Sequence, residues 1–275
     1  MRSAGRLRQA RPLRPPPGEL DCGNAGTGVG ENLMDHAQSR RAFQTDSQDT
    51  YNKRLGGPLG RLINGIKYYA GGGGPVASGP VMAGGYLSTS SADPEVPDFT
   101  IHFLPFLPGA AGYDLSDSSG FMISAYQNRP ESRGSIRIKS ADEFDRPAIR
   151  FNYLSTERER SGLAEALGII EKIGSSPALK ALGTKEILPG PIDDDADLMA
   201  AYLKESLSTC YHFCGTARMG NDQLSVVDKD LRVRGVDRLR VIDASVMPTI
   251  VSANTNAATI MIAEKGAAMI VEDGR

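Results

Sequence analysis

Apolar residues recur at helical spacing in several long stretches of the chain and at every second position in a few short ones. Leu163, Leu167, Ile170 and Ile173 form the inward stripe expected of a helix over 156–173, behind a charged first turn at 157–160 that reads as solvated. Leu59, Leu62, Ile63 and Ile66 predict a short amphipathic helix over 58–69. The acids at 193–195 suit a helix N-terminus, followed by Leu198, Ala201, Tyr202 and Leu203. Phe99, Ile101 and Phe103 alternate, as do Ile136 and Ile138, and with 121–127 they predict an antiparallel sheet with one wet face. Pro105 makes the end of the first of these strands an edge. His102 falls on the face opposite Ile101 and Phe103 and reads as a surface or satisfied core residue. Near the C-terminus, Leu239, Val241 and Ile242 predict a buried strand. A loop with Asp243, Pro248 and Ser252 follows, then a helix whose apolar positions are Ile260, Ile262, Ala263, Ala267 and Ile270. Asn254, Thr255 and Asn256 stand where caps or ligand contacts belong, because the first turn of a helix leaves N–H groups unpaired.

The class these elements give is α/β, of the α+β kind, and 40% hydrophobic residues in 275 suffice for a buried core. A net charge of −2 carries no footprint for nucleic acid. No apolar run reaches the about 18 residues of a transmembrane segment. Three cysteines make no disulfide framework and point to a reducing, cytoplasmic setting. Cys210 and Cys214 flank His212, but a structural zinc needs four ligands, so no metal is assigned. The acids at 193–195 receive none either. Residues 1–25 are rich in Arg and Pro, lack the apolar core of a signal peptide, and are expected to be disordered, unrelated coding sequence. The glycine run at 71–74 lacks a strand before it and reads as a loop within 69–79. No G-x-G-x-x-G follows an apolar strand anywhere, so the usual cradle for a dinucleotide pyrophosphate is missing.

Three ordered motifs carry more information than any of these. Gly28 to His36 reads G-V-G-x-N-L-x-D-H. Tyr211 to Gly220 contains H-x-x-G-T-x-x-M-G beginning at His212. Asp243, Ala244 and Ser245 form D-A-S, ahead of Pro248-Thr249 and Asn254. Together they resemble the C-terminal signature of the glucose-methanol-choline oxidoreductases, FAD-dependent dehydrogenases and oxidases of alcohols, and most closely the choline dehydrogenase branch. The resemblance runs from about residue 26 to the C-terminus, while the family's dinucleotide fingerprint lies earlier in a longer protein.

What the resemblance implies is a partial FAD-binding domain packed with an antiparallel-sheet substrate domain. Its parts would be a spurious segment at 1–25, a flavin-contacting segment at 26–40, a substrate-binding domain at 41–208, and the C-terminal part of the FAD-binding domain at 209–275. Hydride would pass from an alcohol carbon to flavin N5. His212 would take the hydroxyl proton, and the Asn254 amide would hold the oxygen as charge grows on it. Asn32, Tyr211, Asp243, Ala244 and Asn256 would contact the cofactor, with the last helix's N-terminus stabilising the reduced ring. His36 reads as structural. The same residues fit an alternative, a catalytically inactive remnant without the ADP-binding motif. A hydrolase using Ser208 or Ser252 with His212 lacks a nucleophile elbow. Neither the alcohol nor the electron acceptor, oxygen or a quinone or another carrier, can be read from the chain.

Overall fold

A computed structural model describes residues 28–93, 95–109, 114–140, 142, 144–192 and 195–274. The reading of residues 1–25 lies outside them. In chain order the elements are β1 (Ala37–Gln44), α1 (Tyr51–Arg54), α2 (Gly57–Gly71), β2 (Ala83–Leu87), β3 (Phe99–Leu104) and β4 (Gly120–Gln127). Then come β5 (Ser135–Arg137), β6 (Ala148–Arg150), α3 (Glu157–Gly174), α4 (Pro177–Lys180), β7 (Lys185–Leu188), α5 (Ala196–Ser206) and α6 (Asn256–Asp273). The chain divides into two compact units, residues 37–128 with 157–208 and residues 28–36 with 129–156 and 209–274. The segment 129–156 thus groups with the C-terminal residues.

The first unit is an antiparallel sheet in the order β2-β3-β4-β1-β7. Strand alternation explains its two cores. Phe43 pairs with Phe121 in the ladder, their rings stack at 5.1 Å, and this face takes Leu163, Leu167 and Ile170 of α3. Each such side chain contributes about 1.5–3 kcal/mol by leaving water. Gly162 and Gly174 let α3 lie directly on the rings of Phe99 and Phe43. On the other face Ala42 and Met122 pack with Leu107, Leu104 and Phe106.

Several expectations are corrected here. Both faces being covered, β4 is buried along its whole length and has no wet side. β3 is internal, and its ladder stops at Leu104, so Pro105 interrupts no pairing and makes no edge. Glu159, placed in a solvated turn by its charged neighbours, is 2% exposed, on the inward side of α3. α2 forms as the spacing predicts, ending in left-handed Gly72, but its stripe of Leu59, Leu62 and Ile66 faces outward. Asp195 caps α5 by accepting the N–H groups of Asp197 and Leu198. His102 sits on the expected face, its ring edge-on to Tyr126 at 5.3 Å.

The most demanding contact in this unit is polar. Arg41 is fully buried in β1. Its Nε donates to the Leu167 carbonyl of α3 at 2.8 Å and its Nη1 to Glu186 Oε1 of β7 at 2.6 Å.

The second unit has little regular structure and is held by paired loops. Met34 and Cys214 exchange both backbone hydrogen bonds, Leu33 and Gly134 do the same, and Cys210 N–H donates to the His36 carbonyl. Gly215, Ala217 and Met219 in turn donate to the carbonyls of Ala244, Ser245 and Val246, which form a short 3₁₀ turn. Beneath this staircase lies a core of Met34, Cys214, Val226, Val227, Leu231, Val246, Met247, Ile250 and Ile262. The strand expected at 239–242 is reduced to one bridge, Arg232 to Arg240, because no neighbouring ladder among the described residues extends it. In α6 only Ile262 and Gly266 are buried, the latter against Ile242; Ile260 and Ile270 are exposed, contrary to the expected stripe.

Gly215 has φ +92, and a Cβ there would drive into the Asn32 carbonyl and the Met34 methyl. Gly215→Ala is therefore expected to destabilise this unit by about 1–3 kcal/mol, read as a lowered denaturant midpoint.

Candidate active site

The three sequence motifs converge in the second unit. Asp35, from the first motif, is 3% exposed and gathers three donors. Its Oδ1 accepts the His212 backbone N–H at 2.9 Å, and its Oδ2 accepts the hydroxyls of Thr209 and Tyr153, both at 2.5 Å. A buried carboxylate with charge-assisted bonds to each oxygen is a stiff anchor, and here it fixes the main chain of His212. Tyr211 N–H donates to Thr209 Oγ1 at 2.7 Å, which turns Tyr211 into the left-handed region at φ +62. A non-glycine residue held there costs about 1–3 kcal/mol, a cost the Asp35 bonds offset. The result is a ring 78% exposed beside a histidine 7% exposed.

Aromatic residues flank His212 in the chain and pack on one another. Phe151 stacks on Tyr153 at 4.8 Å and on Phe213 at 5.5 Å, and Tyr211 meets Phe213 edge-on at 6.2 Å. His212 Nδ1 lies 2.9 Å from His36 Nδ1 with the rings nearly perpendicular, at 88°. Burial pulls the imidazole below the ordinary histidine pKa and the Asp35 charge only partly opposes it, so His212 is neutral at pH 7. That is the protonation state a base requires.

Burial acts the other way on the flanking thiols. Cys214 is pushed up to about 12, with the Asp35 charge adding to the effect, and Cys210 is raised by the same two causes. Both are uncharged thiols at pH 7, ill suited to bind zinc or attack a carbon. Among the described residues no group of three or more His, Cys, Asp or Glu side chains is placed to hold a metal. Cys214, 2% exposed, is expected to resist iodoacetamide in the native chain at pH 8 and to react once the chain is unfolded in urea; rapid native labelling would contradict this environment.

The remaining marked residues occupy two positions. Asn32, at φ 57, donates from Nδ2 to the Gly215 carbonyl at 3.3 Å and so braces the turn after His212. Asp243 Oδ1 accepts the Ser245 N–H at 2.8 Å, capping the 3₁₀ turn, and the Ala244 carbonyl accepts from Gly215. Asn254 and Asn256 are exposed at the start of α6. Thr255, not Asn254, is the N-cap, and no side chain caps this 18-residue helix. The Asn254 loop and the histidine segment share one core, through Cys214, Met247, Ile250 and Ile262. Ser252 Oγ accepts from Arg129 Nη1 at 3.2 Å.

Reasoning from sequence passed over Asp35, Thr209 and Tyr153 and gave His36 no chemical part. An adjacent Asp-His pair at the end of the first motif was a usable signal. Nothing in the sequence marks Tyr153, whose approach depends on the left-handed backbone of Asn152 and Leu154 on either side of it. In the other unit an apolar cleft of about 570 Å³ lined by Leu62, Ile66 and Tyr69, with Arg61, has no carboxylate or histidine among its described lining residues.

Residues 130–263 match the family model described as GMC oxidoreductase. Over 238 residues the chain is 37% identical to the oxygen-dependent choline dehydrogenase of Citrobacter koseri, covering 86% of this chain and 42% of that protein. Against the enzyme of the same name from Photobacterium profundum it is 36% identical over 246 residues, covering 89% and 43%. The chain thus spans less than half the length of these relatives. Among solved structures it is similar to pyridoxine 4-oxidase from Mesorbium loti, with TM-score 0.68, 28% identity and coverage of 88% and 43%. A variant of formate oxidase from Aspergillus oryzae RIB40 gives TM-score 0.79 at 26% identity, covering 90% and 48%.

Proposed function

We propose that the chain, whose residues 130–263 match the GMC oxidoreductase model, is a member of that family and the C-terminal part of an FAD-dependent oxidoreductase acting on the CH–OH group of alcohols. The observation that carries this reading is a neutral, buried histidine held on a carboxylate-anchored loop, in one unit with an exposed asparagine ahead of an uncapped helix. Bound FAD supplies the hydride acceptor.

The residues present fit the ring end of that cofactor. The open first turn of α6 and the exposed Asn256 offer donors to an electron-rich ring edge, and Asn32, Tyr211, Asp243 and Ala244 line the two turns that meet at Gly215. His212 takes the hydroxyl proton, and the Asn254 amide donates to the oxygen as its negative charge grows. Residues 26–40 and 209–275 are assigned to the FAD side and 41–208 to the substrate side. For the substrate we propose a small alcohol with a choline-like cation. Tyr211 and Phe213, on either side of His212, give a cation a π face, and the relatives compared are choline dehydrogenases. Among the described residues no helix is long and apolar enough to cross a membrane. A cytoplasmic place is part of the proposal.

The test is anaerobic titration of the chain, reconstituted with FAD, with choline and with simple primary alcohols. Loss of the oxidised flavin's visible band supports the reading, with choline ahead of an uncharged alcohol of equal size. A chain that holds FAD and shows no bleaching with any alcohol overturns it.

A further inference from the structure

The two buried imidazoles make a demand of their own. Nδ1 of His36 and Nδ1 of His212 are 2.9 Å apart, a hydrogen-bond distance, and a bond between two ring nitrogens needs a proton on one and a lone pair on the other. Since burial keeps His212 neutral at pH 7, two arrangements remain. Either His212 carries its proton on Nδ1 and donates to His36, leaving Nε2 of His212 with a lone pair, or His36 donates and Nε2 of His212 carries the proton. Only in the first can Nε2 of His212 accept a proton.

We propose that His36 is a positioning residue: its Nδ1 lone pair accepts the Nδ1–H of His212 and holds His212 in the tautomer whose Nε2 is the base. This rests on the oxidoreductase reading of His212. The surroundings make the assignment stiff. His36 is fully buried, its backbone carbonyl is bonded to Cys210 N–H, and Asp35, next in sequence, holds the backbone N–H of His212. The acceptor and the donor are thus fixed from both sides of one short loop pair. The perpendicular rings aim one Nδ1 at the edge of the other, the geometry a ring N–H donor uses. When His212 takes a proton on Nε2 it keeps the one on Nδ1, and the bond to His36 then bears part of the positive charge. Among the described residues the Asp35 charge acts on His212, and it also acts on Tyr153, Cys210 and Cys214, with Arg133 beside Cys214; burial and Asp35 keep the phenol and both thiols neutral at pH 7.

The chain has only three histidines, which makes the tautomers directly observable. In a ¹⁵N-labelled sample at pH 8, two-bond ¹H–¹⁵N correlation spectra separate Nδ1–H from Nε2–H imidazoles, and His102→Gln and His212→Gln assign the signals. Wild type is expected to show His212 as Nδ1–H and His36 as Nε2–H. In His36→Ala, His212 is expected to change to the Nε2–H form preferred by free imidazoles, and in His36→Asn, whose amide oxygen can accept in place of Nδ1, to keep Nδ1–H. A wild-type spectrum with His212 as Nε2–H overturns the proposal, as does an Nδ1–H His212 that survives His36→Ala. Should the alanine variant not fold, the wild-type spectrum still decides. No flavin or alcohol is present in this measurement. Failure of flavin bleaching with His212 found as Nδ1–H therefore counts against the oxidoreductase reading alone.

Discussion

His212→Ala is expected to slow alcohol-dependent flavin bleaching by about 10²–10⁴-fold, the contribution of a positioned general base, while leaving FAD binding within about threefold. The asymmetry follows from the geometry. What Asp35 holds is the backbone N–H of residue 212, which alanine retains, so the loop keeps its anchor while the proton acceptor is lost. Wild-type pH dependence should carry the same signature. A base works when neutral, so the rate is full above its pKa and falls as pH drops through it. Burial sets the His212 pKa below the ordinary histidine value, so the fall should begin at a lower pH than for an exposed histidine. Stability has the same sign. The unfolded chain binds this proton more readily, so the contribution is whole above the ordinary histidine pKa and is lost as pH falls below it. A rate in His212→Ala within a factor of ten of wild type, or a rate that rises as the solution is acidified, would remove His212 from the chemistry.

Glu186→Ala is expected to cost the sheet unit about 3 kcal/mol, seen as a lower urea midpoint with circular dichroism as the probe. The magnitude comes from what is left behind. Arg41 has no solvent-exposed side-chain area, and its guanidinium would keep the Leu167 carbonyl while losing a 2.6 Å bond to a carboxylate that is itself only 18% exposed. For a buried charge, losing a carboxylate partner is costlier than removing the charge itself. Arg41→Met, which removes the charge along with its need, is accordingly expected to lose much less, because an apolar side chain of similar length suits the surrounding core. If the two variants lose equal stability, or Glu186→Ala shifts the midpoint by less than about 0.5 kcal/mol, the pair is not a keystone of the sheet.

Much of the local structure was legible in the chain. Leu163, Leu167 and Ile170 at helical spacing predicted α3 and its buried side, and alternation at 99–103, with the strand read at 121–127, predicted antiparallel strands that do pair in register. The acids at 193–195 predicted a helix N-terminus, and Asp195 caps α5 there. The spacing of G-V-G-x-N-L-x-D-H, of H-x-x-G-T-x-x-M-G and of D-A-S identified the family, which the relatives and the family model bear out. Periodicity, however, says only that a face is apolar, never what covers it. The stripes of α2 and of Ile260 and Ile270 are therefore exposed, while Glu159, in a run of charges, is buried.

The sequence by itself determined the order of the elements, their periods and the three motifs, since these depend on residues a few positions apart in the chain. Tertiary structure alone decided that Asp35 would hold a backbone N–H 177 residues away, that Tyr153 would come to the same carboxylate, and that the rings of His36 and His212 would meet at 2.9 Å. Those contacts are single points of approach between loops, without a repeating pattern to announce them. Their energies depend on the exclusion of water, which the folded core under Met34, Cys214 and Val246 supplies and no short stretch of chain contains.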